Sequence, residues 1–237
     1  MSLNPNSVQA TSRPLPAAGL LAARNYMIID LGIQSESYNN QPPTKAPKVT
    51  FIWELGTQLH QFDEKKGKEP LTVMAEYSMT AGTKSKLPGV LKTWGSMANL
   101  PKKINVAPFL GQYCMLTIEH YIKKDNTQGH RIAGSGRQVA PFMKELPKPP
   151  AYNPNFLFDL DAFTWESFYK VPKFLQDKIR KCEQWAGIVA RLPEPVNAQG
   201  QDGNGAGNSY QQPTNAIPET AAPIHMASQG DNEAPAF

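Results

Sequence analysis

The chain has 237 residues, 40% of them hydrophobic and 19% charged, with a formal net charge of +4. That length supports one good-sized core or two small ones. The apolar run Ala17–Ala23 has no basic segment before it and is too short to span a bilayer or act as a signal peptide, so a cytoplasmic protein with no membrane partner is expected. The charge is unevenly placed. No Lys or Arg follows Arg191, so residues 1–195 hold all 24 bases against 16 acids, a net +8, while Asp202, Glu219, Asp231 and Glu233 give the remainder −4. A basic body concentrates polyanions through its summed field. The two cysteines, Cys114 and Cys182, lie in apolar patterns without metal-type spacing, which points to buried free thiols in a reducing compartment.

Residues 1–22 are rich in Asn, Ser, Pro and Ala and read as a flexible N-terminal arm. Asn25–Ile33 reads as a first strand, followed by a Pro-rich loop from Tyr38 to Pro47. In Lys48–Leu55 the side chains of Val49, Phe51, Trp53 and Leu55 face one way and those of Thr50 and Glu54 the other. After the charged loop Asp63–Glu69, Leu71–Thr80 gives a third strand with Val73, Ala75, Tyr77 and Met79 on one face. Leu87, Val90, Leu91, Trp94, Met97 and Ala98 then fall at helical spacing, and Pro88 suits the first turn of that short helix. Beyond the basic loop Pro101-Lys102-Lys103 come two strands, near Tyr113–Lys123 and Gly129–Val139, joined by a polar hairpin connection.

Three strands, a short helix and two strands are the order of a five-stranded OB barrel. The expected fold is therefore mainly β, an OB-fold barrel over residues 23–192 with its short helix between strands three and four. The proline-dense segment Leu146–Pro154 reads as extended over the surface. A C-terminal helix from Pro172 to before Pro193 carries Leu175, Ile179, Cys182, Ala186 and Val189 on one stripe, to pack on the barrel or on a second subunit of a homo-oligomer. Residues 193–237 are dominated by Gly, Gln, Asn, Ala and Pro, cannot offset their ordering entropy, and read as a disordered acidic tail. Its tip, with Asp231, Glu233 and Phe237, suits docking on other proteins.

No catalytic or metal pattern is present. His60, His120, His130 and His225 form no metal-binding or HExxH spacing, and Gly134-Ser135-Gly136 lacks the lysine and helix of a phosphate loop, so it reads as a place where a strand bends. Asp159 and Asp161 suit a turn or a helix cap. The expectation is a non-enzymatic protein without cofactor. What the chain does have is bases interleaved with aromatics, as single-strand binding needs cations along the phosphates and flat faces for base stacking. Candidate DNA-binding cations are Lys48, Lys84, Lys86, Lys102, Lys103, Lys123, Arg131 and Arg137, with Lys45, Lys92 and Lys124 in the wider set. Candidate stacking residues are Trp53, Tyr77, Trp94 and Tyr121. Trp94 lies on an apolar helix stripe and reads as core, and at least one of Phe51 and Trp53 does too. Tyr121 is the strongest, since it shares its face with Thr117 and Glu119 beside Lys123 and Lys124.

The run Ala23-Arg24-Asn25-Tyr26-Met27-Ile28-Ile29-Asp30-Leu31-Gly32-Ile33-Gln34, with Lys48–Leu55, Glu76-Tyr77-Ser78, Leu91–Gly95 and Leu110–Cys114, resembles phage-encoded single-stranded DNA-binding proteins with an OB-fold. The likeness covers roughly residues 23–185. It implies coating and protection of single-stranded DNA in phage DNA replication and recombination, within the host cytoplasm. It also implies recruitment of replication or recombination proteins through Asp231, Glu233 and Phe237. The competing expectation from another class is a virion or assembly protein with a basic β-barrel.

Overall fold

The computed structural model describes residues 14–37, 42–80, 85–95, 104–134 and 138–195. The strands are β1 (Gly19–Glu36), β2 (Thr44–His60), β3 (Glu69–Ser78), β4 (Tyr113–Ile122), β5 (Gln128–Ile132), β6 (Val139–Pro141) and β7 (Phe156–Phe158). Helix α1 (Leu87–Trp94) lies between β3 and β4, and α2 (Trp165–Lys170), α3 (Lys173–Ile179) and α4 (Trp185–Arg191) follow β7. The fold is mainly β. One curled antiparallel sheet runs in the order β3-β2-β1-β4-β5, and its outer strands β3 and β5 come back into contact.

β1 is the spine. Its first residues, Gly19–Arg24, pair with β4, whereas Arg24–Glu36 pair with β2. The register jumps at Tyr26 and again at Leu31. The first jump explains the unbroken apolar run that follows Asn25. Ala23 and Ile28 point into one core, and Tyr26, Ile29 and Leu31 into another. A strand with both faces covered needs no polar alternation. At the second bulge Gly32 adopts φ +70°, and its N–H is held by the Asp30 carboxylate at 2.8 Å. A Cβ there would meet Cys182 Sγ at 2.8 Å, so both the turn and the close approach require glycine.

The inner core holds Val49, Phe51, Trp53 and Leu55 of β2 against Val73, Ala75 and Tyr77 of β3, and α1 caps it with Leu87, Val90, Leu91 and Trp94. The second core lies on the opposite face of β1 and β2, where Ile52 meets Phe158, Leu160, Phe163, Phe168, Leu175 and Ile179. Thr50 and Glu54, expected to face away from the core, are buried as well. Glu54 accepts from Arg24 Nη1 at 2.5 Å, from the Asn153 N–H at 2.9 Å and from Asn153 Nδ2 at 2.6 Å. Arg24 in turn donates to Asn153 O and Asn155 Oδ1. This buried cluster fastens the proline-dense segment across the sheet and delivers β7 to its parallel pairing with Met27–Ile29.

Three expectations are corrected. The first strand starts at Gly19 rather than Asn25, so residues 19–22, assigned to the arm by composition, belong to the sheet. The fifth strand is two pieces: β5 pairs with the end of β4 and β6 with its beginning, around a bend at Gly134 with φ +86°. The single C-terminal helix is absent. Helices α3 and α4 are separated by Arg180–Gln184, where the Glu183 N–H donates to Ile33 O and Gln184 Oε1 accepts from the Ile33 N–H. Binding β1 through that turn interrupts the helix and rotates its stripe, so Ile188 is buried and Ala186 exposed.

Candidate nucleic-acid interface

The β4–β5 hairpin brings together three of the sequence-selected residues. Its turn closes through Lys123 N–H to Thr127 O at 2.8 Å, with Asn126 at φ +60° and the Asp125 carboxylate accepting from Thr127 N–H and Oγ1. Those two bonds hold the exposed Asp125 carboxyl below the usual range. On the face pointing away from the inner core, Tyr121 stands directly opposite Gly129. The ring lies over the glycine, since a Cβ at 129 would meet Tyr121 Cζ at 2.9 Å and Lys123 Cε at 3.1 Å. Arg131 places its guanidinium 5.7 Å from the Tyr121 ring centroid and its Nε 3.1 Å from Glu119 Oε2. Both members of that ion pair are largely exposed, so it contributes little to stability and leaves the arginine available to a phosphate. A half-exposed ring flanked by a lysine and an arginine can stack a base while its neighbours meet the backbone.

The remaining candidates lie elsewhere. Trp53 and Tyr77 are core residues, 0% and 4% exposed, packed around Phe51 at ring-centroid distances of 5.6 and 5.8 Å. Neither offers a face to a base, because both point into the inner core with their neighbours on β2 and β3. Trp94 is buried as read, donating its indole N–H to Tyr113 O. Lys48 sits at the other end of β2, with a side chain 14% exposed and bonded to Glu36 at 2.7 Å. Lys178 of α3 bridges Glu36 and Glu76 there, so two lysines and two glutamates nearly cancel. Lys86 is exposed just before α1. Lys84, Lys102, Lys103, Arg137, Asp231, Glu233 and Phe237 lie outside the described residues, as do residues 1–13 of the arm and 196–237 of the tail.

Both cysteines are free and buried. Burial pushes the Cys114 thiol well above its ordinary range and that of Cys182 up as well, which leaves them neutral and poorly nucleophilic. Gly129 was not singled out for the site, although its position opposite Tyr121 follows from the hairpin register. The aromatic cluster of Phe163, Trp165, Phe168 and Trp185, with Arg180 about 5 Å from the last two rings, was also missed; it belongs to the second core. Among the described residues no group of three or more His, Cys, Asp or Glu converges as for a metal, and no helix is long and apolar enough to cross a membrane. Comparison of the chain with protein-family models, with curated proteins and with solved structures finds no match.

Proposed function

We propose that the protein is a non-enzymatic single-stranded DNA-binding protein with an OB-fold, which coats and protects single strands during phage DNA replication and recombination. The observation that carries this reading is the sheet order β3-β2-β1-β4-β5, with β3 curled towards β5 and a helix between β3 and β4. An OB barrel binds oligonucleotides through its strand 2–3 face and the loops after strands 1 and 4. The β4–β5 hairpin, with Tyr121, Lys123 and Arg131, is the second of those loops. Because the second core covers the outer face of β1 and β2 around Ile52, the strand path in this protein favours the hairpin. Asp231, Glu233 and Phe237 supply the contact to replication or recombination partners.

The test is a fluorescence-anisotropy titration of the full chain with labelled oligo-dT and with a duplex of equal length. A labelled oligonucleotide is the better reporter because Trp53 and Trp94 are buried. Strong preference for the single strand, with affinity falling linearly in log salt, is the expected outcome. Equal affinity for duplex, or no salt dependence, would overturn the assignment and favour the assembly-protein alternative.

A further inference from the structure

The face of the β4–β5 hairpin opposite Tyr121 carries two histidines directly across from one another, His120 and His130. Their spacing follows from the ladder. Lys123 N–H bonds to Thr127 O and Ala133 N–H to Thr117 O, so the odd-numbered β4 residues make the hydrogen-bonded pairs. His120 and His130 therefore form a non-hydrogen-bonded pair, whose Cα atoms stand about 4.5 Å apart and whose side chains are closest. Two imidazoles at that separation can reach one ion.

The tautomer of His120 is set by its neighbours. Its Nε2 lies 2.7 Å from the carbonyl oxygen of Pro16, which can only accept, so Nε2 carries the proton. Nδ1 then presents a lone pair, capped at 3.1 Å by the amide of exposed Gln128. A ligating histidine characteristically donates its other ring N–H to a backbone carbonyl or carboxylate, which sets tautomer and ring orientation. Pro16 already provides that bond, and Gln128 can swing into solvent. His120 and Ile122 at the rim are exposed, so an ion has a path in.

We propose that His120 Nδ1 and His130 form a two-histidine site for a late first-row divalent cation, with water completing the coordination. With only imidazole donors the affinity order should follow ligand softness and the Irving–Williams series: Cu²⁺ tightest, Ni²⁺ and Zn²⁺ weaker, and Mg²⁺ excluded because it takes oxygen ligands. The site is independent of the DNA-binding reading, since it lies on the other face of the hairpin.

The experiment is a calorimetric titration of the untagged full chain with NiCl₂, paired with amide NMR spectra in which paramagnetic Ni²⁺ broadens nearby signals. One equivalent should bind, with broadening centred on residues 119–122 and 128–131. His130→Asn leaves the Pro16 bond untouched and should weaken Ni²⁺ by at least the roughly 10–100-fold that loss of even an outer partner costs. His60→Asn should change nothing. Absence of binding, undiminished affinity in His130→Asn, or broadening centred on His60 or His225 would each overturn the proposal.

Discussion

Single residues in β1 and β2 decide whether the two halves of the molecule hold together. Glu54 is fully buried and is Arg24's counter-charge, while Arg24 is itself almost covered. Glu54→Gln keeps an acceptor but strands the guanidinium in the interior, and breaking a buried pair in this way costs about 3–5 kcal/mol. Urea denaturation should show that loss. Asp30 should respond with the opposite sign. Burial pushes its carboxyl above 3.8, Asp159 and Asp161 add to the rise, and the Gly32 and Leu160 N–H groups oppose it. A carboxyl raised on folding contributes stability only while protonated, and loses it as pH rises through the folded value. Asp30→Asn retains the acceptor for Gly32 N–H, so it should raise the melting temperature at neutral pH. The advantage should vanish in acid, where the carboxyl is already neutral. Glu36 titrates the other way: burial opposes its ionisation, but Lys48 and Lys178 outweigh this and lower it, so its contribution is lost as pH falls through the folded value.

At the scale of elements, the hairpin separates contact residues from core residues. Tyr121→Ala should lower oligo-dT affinity by the roughly 1–3 kcal/mol of a lost stack, with the melting temperature nearly unchanged. Trp53→Ala should instead cost about 3–5 kcal/mol of stability, because it empties the inner core. Gly129→Ala tests the support beneath the ring: a methyl at 2.9 Å from Cζ must displace Tyr121 and the Lys123 stem, so affinity should fall although neither contact residue is altered. Anisotropy and thermal melts on the same three variants distinguish these outcomes. The alternation of Val49–Leu55 and of Val73–Tyr77 was legible because no bulge interrupts either stretch, so the strand period of 2 runs straight through them. The face opposite Trp53 was not, since nothing local announces that Thr50 and Glu54 will be covered by residues 149–185. The C-terminal helices were misjudged for the same reason. Their stripe is helical on paper, yet Glu183 and Gln184 bind the bulge at Ile33 and break it.

For the whole molecule, charge asymmetry is the property that sequence conveys most directly, because it needs no coordinates. Residues beyond Arg191 bear only acids and the body a net +8, so the two attract wherever screening is weak. Deleting residues 230–237 should leave melting unchanged and tighten oligo-dT binding most at low salt, as read by anisotropy across a salt series. Phe237→Ala removes no charge and should leave DNA affinity unchanged while abolishing capture of the partner. A deletion that weakens DNA binding would place the tip within the DNA site.

The double covering of β1 and β2 also sets a clock. Amides of Ile28–Leu31 and Ile52–Trp53 lie between two packed cores, so hydrogen exchange there requires the whole fold to open. The β4–β5 turn has solvent on its sides and can open alone. Slow and fast protons thus report different events in one spectrum. A ligand that merely stabilises the body slows the β1–β2 amides, and one that seats on the hairpin slows Tyr121 and its neighbours first.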